Sequence, residues 1–330
     1  MSINVSGTLR PFFTQDAIAE AVASMPKPQT PLTDLLFPIA KRKQKTSPYV
    51  AEGDVEDVVG SVPVIRRGGA SYSVDGKSTG IKLIEVQPIS LNRFVTGKEI
   101  NDLIALGTKT DIQAFVNEGI EYLRDKTSQA TEILVRQALS GKIEYPMATA
   151  GSLAEKYTVN FGTIKTLDAV TIASDDLAKL QVKLEKIYQA QLATGASGDI
   201  RILCGDDVYQ KIVAIVVAAG SIAPVVWTET GLTLFGKYKI MTMGMTYVLP
   251  GTSAAVPVIP TNFIQTVDIT NAGQLFYAAL DDLDSKLAPL PFYAKPVKID
   301  DPSGYKIISE SKPLPAPAIS KMRRQQFLPA

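Results

Sequence analysis

The chain has 330 residues, 45% of them hydrophobic, enough to bury one elaborate core or two modest ones. Its 34 basic and 33 acidic residues leave a net charge of +1, which excludes a dedicated duplex-DNA binder with a concentrated basic face and leaves only local patches for nucleic acid. With no histidine and a single cysteine, Cys204, the chain cannot use Ser-His-Asp or Cys-His nucleophile activation, imidazole-ligated zinc or an intrachain disulfide.

The N-terminal stretch MSINVSGTLRPFFTQDAIAEAV lacks the basic start and continuous apolar run of a signal peptide, and no run reaches the roughly 18 apolar residues of a membrane span. A cytosolic protein with no membrane partner is expected. Thr14 is placed to cap a short amphipathic helix that Pro26 stops. Pro26, Pro28, Pro31 and Pro38 follow with little to bury, then the basic cluster Lys41, Arg42, Lys43 and Lys45. This pattern predicts an extended arm over residues 1–48.

Residues 49–92 contain RRGGASYSVDGKSTG, whose Gly76-Lys77-Ser78 matches the last three residues of a phosphate-binding loop. Such a loop needs glycine five places before its Gly-Lys pair and a helix after it, so that backbone N–H groups cradle the phosphates. Ser71 occupies that place, and Ile81 to Val86 is β-branched and largely alternating, the pattern of a strand. The stretch is therefore a long hairpin with a Gly/Ser-rich tip, and a nucleotide-using enzyme rests on this near match alone.

Ile112, Phe115, Val116, Ile120, Leu123, Ile133, Leu134 and Ala138 recur at spacings of three, four and seven between Gly107 and Gly141. They predict a helix from Thr108 to Ser140, about 50 Å long. GKIEYPMATAGSLAEKYTVNFG predicts two short strands around a turn. A second helix, with Leu177, Leu180, Leu184 and Ile187 on one face, is expected to be capped by Ser174, with Asp175 and Asp176 in its first turn. Ile200 to Cys204 reads as a buried strand with a structural thiol, and Asp206 as the cap of a third helix, apolar almost all round from Ile212 to Ala219 and so expected to be enclosed. Short strands with Gly and Pro turns fill Leu232 to Phe276, and the remainder gives two strand-like runs and a Pro-rich end. The acid groups Asp54/Glu56/Asp57, Asp175/Asp176, Asp281/Asp282/Asp284 and Asp300/Asp301 lack the spacing and central glycine of a calcium loop and read as solvated turns and helix starts. No catalytic, cofactor-binding or metal residues are assigned.

Taken in order, the segments VIRRGGASYSVDGKSTGIKLIEVQPISLNRF, SGKIEYPMATAGSLAEKYTVNFG, IRILCGDDVYQKIV and GLTLFGKYKIMTM with VIPTNFIQTV resemble the major capsid proteins of tailed bacteriophages, nearest to the phage lambda major head protein family. The resemblance implies an α+β chain of the Hong Kong 97-type shell fold. Its parts would be an N-terminal arm (1–48), an extended loop (49–92), a peripheral domain with the spine helix 108–140 (93–165 and 285–330) and an axial α/β domain (166–284). It also implies pentamers and hexamers in an icosahedral shell around packaged double-stranded DNA, assembled in the bacterial cytoplasm. Scaffolding protein and portal would be partners, with a decoration protein as an optional one.

Elementary physics points the same way, because a two-stranded hairpin of about forty residues is at best marginally stable until a neighbour covers it. Arg66 and Arg67 stand where the rising strand meets the tip, and Gly68 and Gly69 would let the chain turn so that a guanidinium reaches an adjacent subunit. Some members of this fold cross-link a loop lysine to an asparagine of a neighbour's sheet domain. Lys77 could be the lysine, but no asparagine occurs from Ala272 onward, so a non-covalent shell is expected. On the inner wall, Lys41, Arg42, Lys43 and Lys45 would face packaged DNA without reading its sequence. Within the same fold, an encapsulin-type compartment shell is the alternative. A secreted adhesive or fibre subunit would fit the hairpin but not the missing signal.

Overall fold

The computed structural model describes residues 10–51, 83–106, 109–147, 156–196, 198–220, 224–249 and 252–329. Its helices are α1 (Gln15–Ser24), α2 (Pro31–Leu36), α3 (Gly97–Leu106), α4 (Lys109–Ala138), α5 (Leu177–Leu192) and α6 (Asp206–Ala219). Helix α4 is the spine that the periodicity predicts; the expected first residue, Thr108, lies outside the described residues. Its buried positions include Val116, Ile120 and Leu123 toward one end and Leu134, Val135 and Ala138 toward the other. Between them the hydroxyls of Thr127 and Thr131 donate to the carbonyls of Leu123 (2.9 Å) and Thr127 (3.0 Å), so the middle of the helix buries polar groups already satisfied.

The strands around the spine are β1 (Arg42–Lys45), β2 (Tyr49–Ala51), β3 (Leu83–Glu85), β4 (Ile89–Thr96), β5 (Lys142–Pro146) and β6 (Lys156–Asn160). After them come β7 (Lys165–Leu167), β8 (Ile200–Cys204), β9 (Val225–Thr228), β10 (Gly231–Leu234), β11 (Tyr238–Thr242), β12 (Thr246–Val248), β13 (Ala255–Pro257) and β14 (Phe263–Asp268). The chain continues through β15 (Gly273–Ala278), β16 (Tyr293–Asp300), β17 (Ser303–Ser311), β18 (Pro313–Pro317) and β19 (Arg323–Gln326). A seven-stranded sheet runs β7-β19-β14-β8-β11-β10-β9, and two three-stranded sheets run β16-β17-β4 and β1-β15-β18. The hairpin β5–β6 forms as expected, Ile143 facing Val159.

Helices α5 and α6 pack on the large sheet around Leu180, Leu184, Ile187, Ile202, Ile212 and Ile264. The cap of α5 is Asp176, not Ser174: its carboxylate accepts the N–H of Lys179 at 2.8 Å and the helix starts one residue later. At α6 the N-cap is Gly205, not Asp206, and no side chain caps the helix. A Cβ at residue 205 would lie 2.1 Å from the carbonyl oxygen of Pro260, so the crossing backbone leaves no room for a capping side chain. Asp206 enters the first turn instead and accepts from the Thr242 hydroxyl at 3.2 Å. Cys204 is wholly buried, and burial pushes its thiol pKa up, so it packs as a small apolar group.

The Pro-rich end is itself a strand. In β18 the prolines alternate at 313, 315 and 317, while the N–H of Ala278 and of Ala318 bond across at 3.0 Å to Lys312 and Ala272. The missing N–H groups therefore all fall on the outer edge of the sheet, where a strand tolerates proline. Strand β19 enters the large sheet between β7 and β14, Phe263 facing Gln326 and Arg323 facing Lys165. This pairing ties residues 323–326 to the 166–284 segment.

Candidate assembly surfaces

The first surface starts at the foot of the long hairpin. Val50 pairs with Ile84 in the β2–β3 ladder, and both are buried with Val86, Leu134, Ile143 and Leu314. The expected hairpin thus begins as an antiparallel pair set into the spine. Its tip, with Arg66, Arg67, Gly68, Gly69 and Lys77, lies outside the described residues, as do Asp54, Glu56 and Asp57. Beside the foot, an apolar groove of about 490 Å³ runs between the spine and β4 and β5, with Ile89, Leu91, Ile133, Tyr145 and Met147 among its walls.

The second element is the N-terminal segment, and here the structure corrects the expectation of an extended arm with little to bury. Ile18 and Ala21 of α1 pack with Val116, Ile120 and Leu123, while Leu32, Leu36 and Phe37 enter the core with Val135, Leu139 and Leu275. Pro31 occupies the first turn of α2, where its missing N–H costs nothing. The spine supplies what this short helix lacks. The buried carboxylate of Glu132 accepts the N–H groups of Leu32 (2.9 Å) and Thr33 (3.0 Å), and Arg124 donates to the carbonyls of Val22 and Met25 (3.3 Å each). A carboxylate at a helix N-terminus satisfies orphan donors and meets the favourable end of the dipole.

The basic cluster follows directly. Strand β1 is parallel to β15, with Lys43 opposite Phe276. Lys41 donates to the carbonyl of Ile269, and burial pulls its pKa down against the opposing pull of Asp268. Arg42 bonds the carbonyl of Phe37 (2.9 Å) and pairs with Asp34. Asp34 is also 2.8 Å from Lys27; burial opposes its ionisation, but the hydrogen bonds from Lys27 and Arg42 outweigh burial and lower its pKa. Lys45 sits 5.8 Å from the Phe276 ring centre, and Lys43 is exposed. The four charges are thus not equivalent, and Lys41 and Arg42 are held by this chain.

The acid groups are likewise partnered where described. Asp281 pairs with Lys312, whose side chain is buried, and Asp282 and Asp284 each lie 2.6 Å from Lys295. Those two hydrogen bonds raise the pKa of Lys295. Asp175 is 2.5 Å from Lys183, and Asp300 pairs with Lys298 at 3.0 Å in solvent. Among the described residues no group of three or more His, Cys, Asp or Glu side chains could hold a metal.

A third surface contradicts the expectation that α6 is enclosed. Ile212, Ile215 and Val216 are buried, but Val217 points out, 65% exposed. On the sheet's edge strand β9, Val226 and Trp227 are 64% and 51% exposed. Helix α6 has one sheet to lie on, so its far side faces outward whatever its composition. Two apolar features, the groove beside the hairpin foot and the exposed Val217, Val226 and Trp227, are left for a further surface to cover.

Residues 14–322 match the family described as phage major capsid protein E. The chain belongs to that family. The capsid protein is similar in fold to the putative capsid protein of a prophage of E. coli CFT073, at 14% identity and a TM-score of 0.57, covering 96% of this chain and 99% of that one. Further structural neighbours are the capsid of cyanophage A-1(L), at 14% identity and a TM-score of 0.48 with 93% and 94% of the two chains covered, and a virus-like particle from Pyrococcus furiosus, at 12% and 0.41 with 98% and 100% covered. No curated protein matches the chain. The fold is the Hong Kong 97 type of α+β shell proteins, and the capsid protein is a structural component of a virion that forms a lattice of its own copies.

Proposed function

We propose that the capsid protein closes into an icosahedral shell of pentamers and hexamers around packaged double-stranded DNA, assembling in the bacterial cytoplasm with scaffolding protein and portal, and with a decoration protein as an optional outer partner. It acts structurally and not as an enzyme. The observation that carries this reading is the buried foot of the hairpin: Val50 and Ile84 fix both ends of a long polar, Gly/Ser-rich segment against the spine, from which it can reach a neighbour. In this reading Arg66 or Arg67 donates to a carboxylate or carbonyl of the adjacent subunit, Gly68 and Gly69 give the turn, and Lys77 lies on the same loop. The cluster Lys41, Arg42, Lys43 and Lys45 faces the interior. Residues 1–48, 49–92, 93–165 with 285–330, and 166–284 act as arm, loop, peripheral and axial units, joined where β19 enters the axial sheet.

Electron microscopy of the expressed protein tests the reading, with icosahedral shells expected. Particles from infected cells should hold DNA; a protein cargo in its place would make the shell a storage compartment. Mature particles should run as single subunits on a denaturing gel, since residues 272–330 offer no asparagine for a lysine cross-link, and a ladder of subunit multiples would refute the non-covalent shell. The double variant Arg66→Ala/Arg67→Ala should keep the subunit's circular dichroism and lose shells; normal yield and thermal stability of its shells would remove the pair from the contact.

A further inference from the structure

Three lysines from two segments far apart in sequence, Lys41 and Lys43 from one and Lys321 from the other, line one cavity of about 260 Å³ at an end of the β1-β15-β18 sheet. The sheet brings them together. Strand β1 carries Lys43 past β15, while the short turn Ile319–Lys321 after β18 returns Lys321 to the same end. The space beneath them is kept open by small residues: Ala40, Gly273, Ala316 and Ala318 all line it. Gly273 has φ +114°, and a Cβ there would lie 2.2 Å from the carbonyl oxygen of Ala316, so no larger residue fits. Lys41 is anchored on the Ile269 carbonyl, but Lys43 and Lys321 have no ion pair or side-chain hydrogen bond among the described residues. Asp268, buried behind this wall, already accepts the Thr270 N–H (2.9 Å) and the Asn271 amide (2.8 Å). The cavity therefore combines room, converging positive charge and unspent donors.

The geometry points to a binding site for a single phosphate group, occupied in the particle by one backbone phosphate of the packaged DNA. Ammonium groups are compact point charges that can surround a tetrahedral anion, whereas a flat carboxylate from a neighbouring chain is better met by the fork of an arginine, and among the described residues no arginine lines this cavity. Among the described residues no aromatic platform for stacking bases lines the cavity beyond Phe276, which lies beneath Lys45, so the contact reads no sequence. This inference rests on the interior placement of the cluster proposed above and deepens it from a diffuse charged patch to one shared site.

The distinction is measurable, because two lysines on one phosphate count once in the release of counterions, and two independent lysines count twice. Binding of a short DNA duplex to the full-length protein is followed by fluorescence anisotropy between roughly 50 and 200 mM salt. The double variant Lys43→Gln/Lys321→Gln is expected to bind about five- to tenfold more weakly at low salt and to lower the slope of log K against log salt by about 0.9. Each single variant should leave the slope nearly unchanged, because the remaining lysine still neutralises the phosphate, and Lys298→Gln should change neither slope nor affinity. Inorganic phosphate should protect Lys43 and Lys321 together from amine acetylation, read by mass spectrometry. A slope change of about 1.8 in the double variant, or none, overturns the shared site. Protection by phosphate with unchanged DNA binding means that free phosphate is the ligand and overturns the DNA assignment. Loss of shells with unchanged DNA binding assigns the cavity to an acidic neighbour and overturns it too. The interior placement is judged separately, from a density map of wild-type particles: Lys43 on the outer surface would end that proposal even if phosphate protects the amine.

Discussion

The segment from Phe13 to Lys45 and the segment from Asp206 to Thr228 have opposite compositions and opposite fates. The first is interrupted by four prolines and ends in a basic cluster, yet Ile18, Leu32, Leu36 and Phe37 are among the most deeply buried residues of the chain. The second is apolar over most of its length, yet presents Val217, Val226 and Trp227 to solvent. What separates them is the number of surfaces each one meets. The N-terminal segment lies along the spine helix and edges a sheet through β1, so even a six-residue helix finds partners; β9 is an edge strand of the large sheet and α6 lies on one of its faces, leaving the outer side of each open. Apolar groups left uncovered within one subunit are the ones a lattice neighbour can cover.

The contrast can be broken by substitution. Phe37→Ala should cost about 3–5 kcal/mol in the stability of the subunit, measured by chemical denaturation, because it empties a site with almost no exposure. If the segment were a detachable arm, the loss would be near zero. Glu132→Gln keeps the shape but weakens two charged acceptances at the start of α2, and a loss of about 1.5–3 kcal/mol is expected.

In the second region, Glu185 lies 2.7 Å from Lys237 and also accepts the Tyr238 hydroxyl, fastening α5 to the turn before β11. Hydrogen bonds from Gln189, Lys237 and Tyr238 lower its pKa to about 2. The folded state therefore binds fewer protons than the unfolded chain between that value and the ordinary glutamate range, so this contribution is full above about pH 4.5 and fades as pH falls toward 2. Both partners are more than a third exposed, which limits the effect to under about 1 kcal/mol. The difference in melting temperature between wild type and Glu185→Gln should vanish on acidification; a difference independent of pH would remove the carboxylate as its cause. The smallest effect on the subunit is expected from Trp227→Ala, within about 0.5 kcal/mol. The same variant should lower the yield of shells, and unchanged yield would leave Trp227 outside any contact.

Legibility in the sequence followed the range of the interactions. The spine was readable because a long run of apolar spacings is a local signal, and the expected end at Ser140 differs from the observed end at Ala138 by two residues, within the ordinary fraying of a helix terminus. The foot of the hairpin was readable from alternating residues at Ile81 to Val86. Helix α2 was not, since the acceptor for its first N–H groups is Glu132, a hundred residues away. The cap at Gly205 was missed because the obstacle is the distant Pro260 carbonyl, and the strand at Pro313–Pro317 because its alternate prolines make sense only once the outer edge of the sheet is known. Of the candidate site, the sequence offered Lys41 and Lys43 within one basic cluster, with Lys321 far along the chain; nothing local says that β15 and β18 bring them to one cavity.

The place of β19 has a consequence for how the subunit comes into being. Residues 323–326 are translated after the other described strands of the large sheet, yet they occupy an interior position in it, with β7 on one side and β14 on the other. Until they leave the ribosome, β14 has an open edge and β7 has no ladder partner, so a nascent chain cannot close this sheet however long it waits. The large sheet is thus completed only after synthesis passes residue 326, and fragments from interrupted translation would carry β14 with an unpaired edge, a template for wrong pairing.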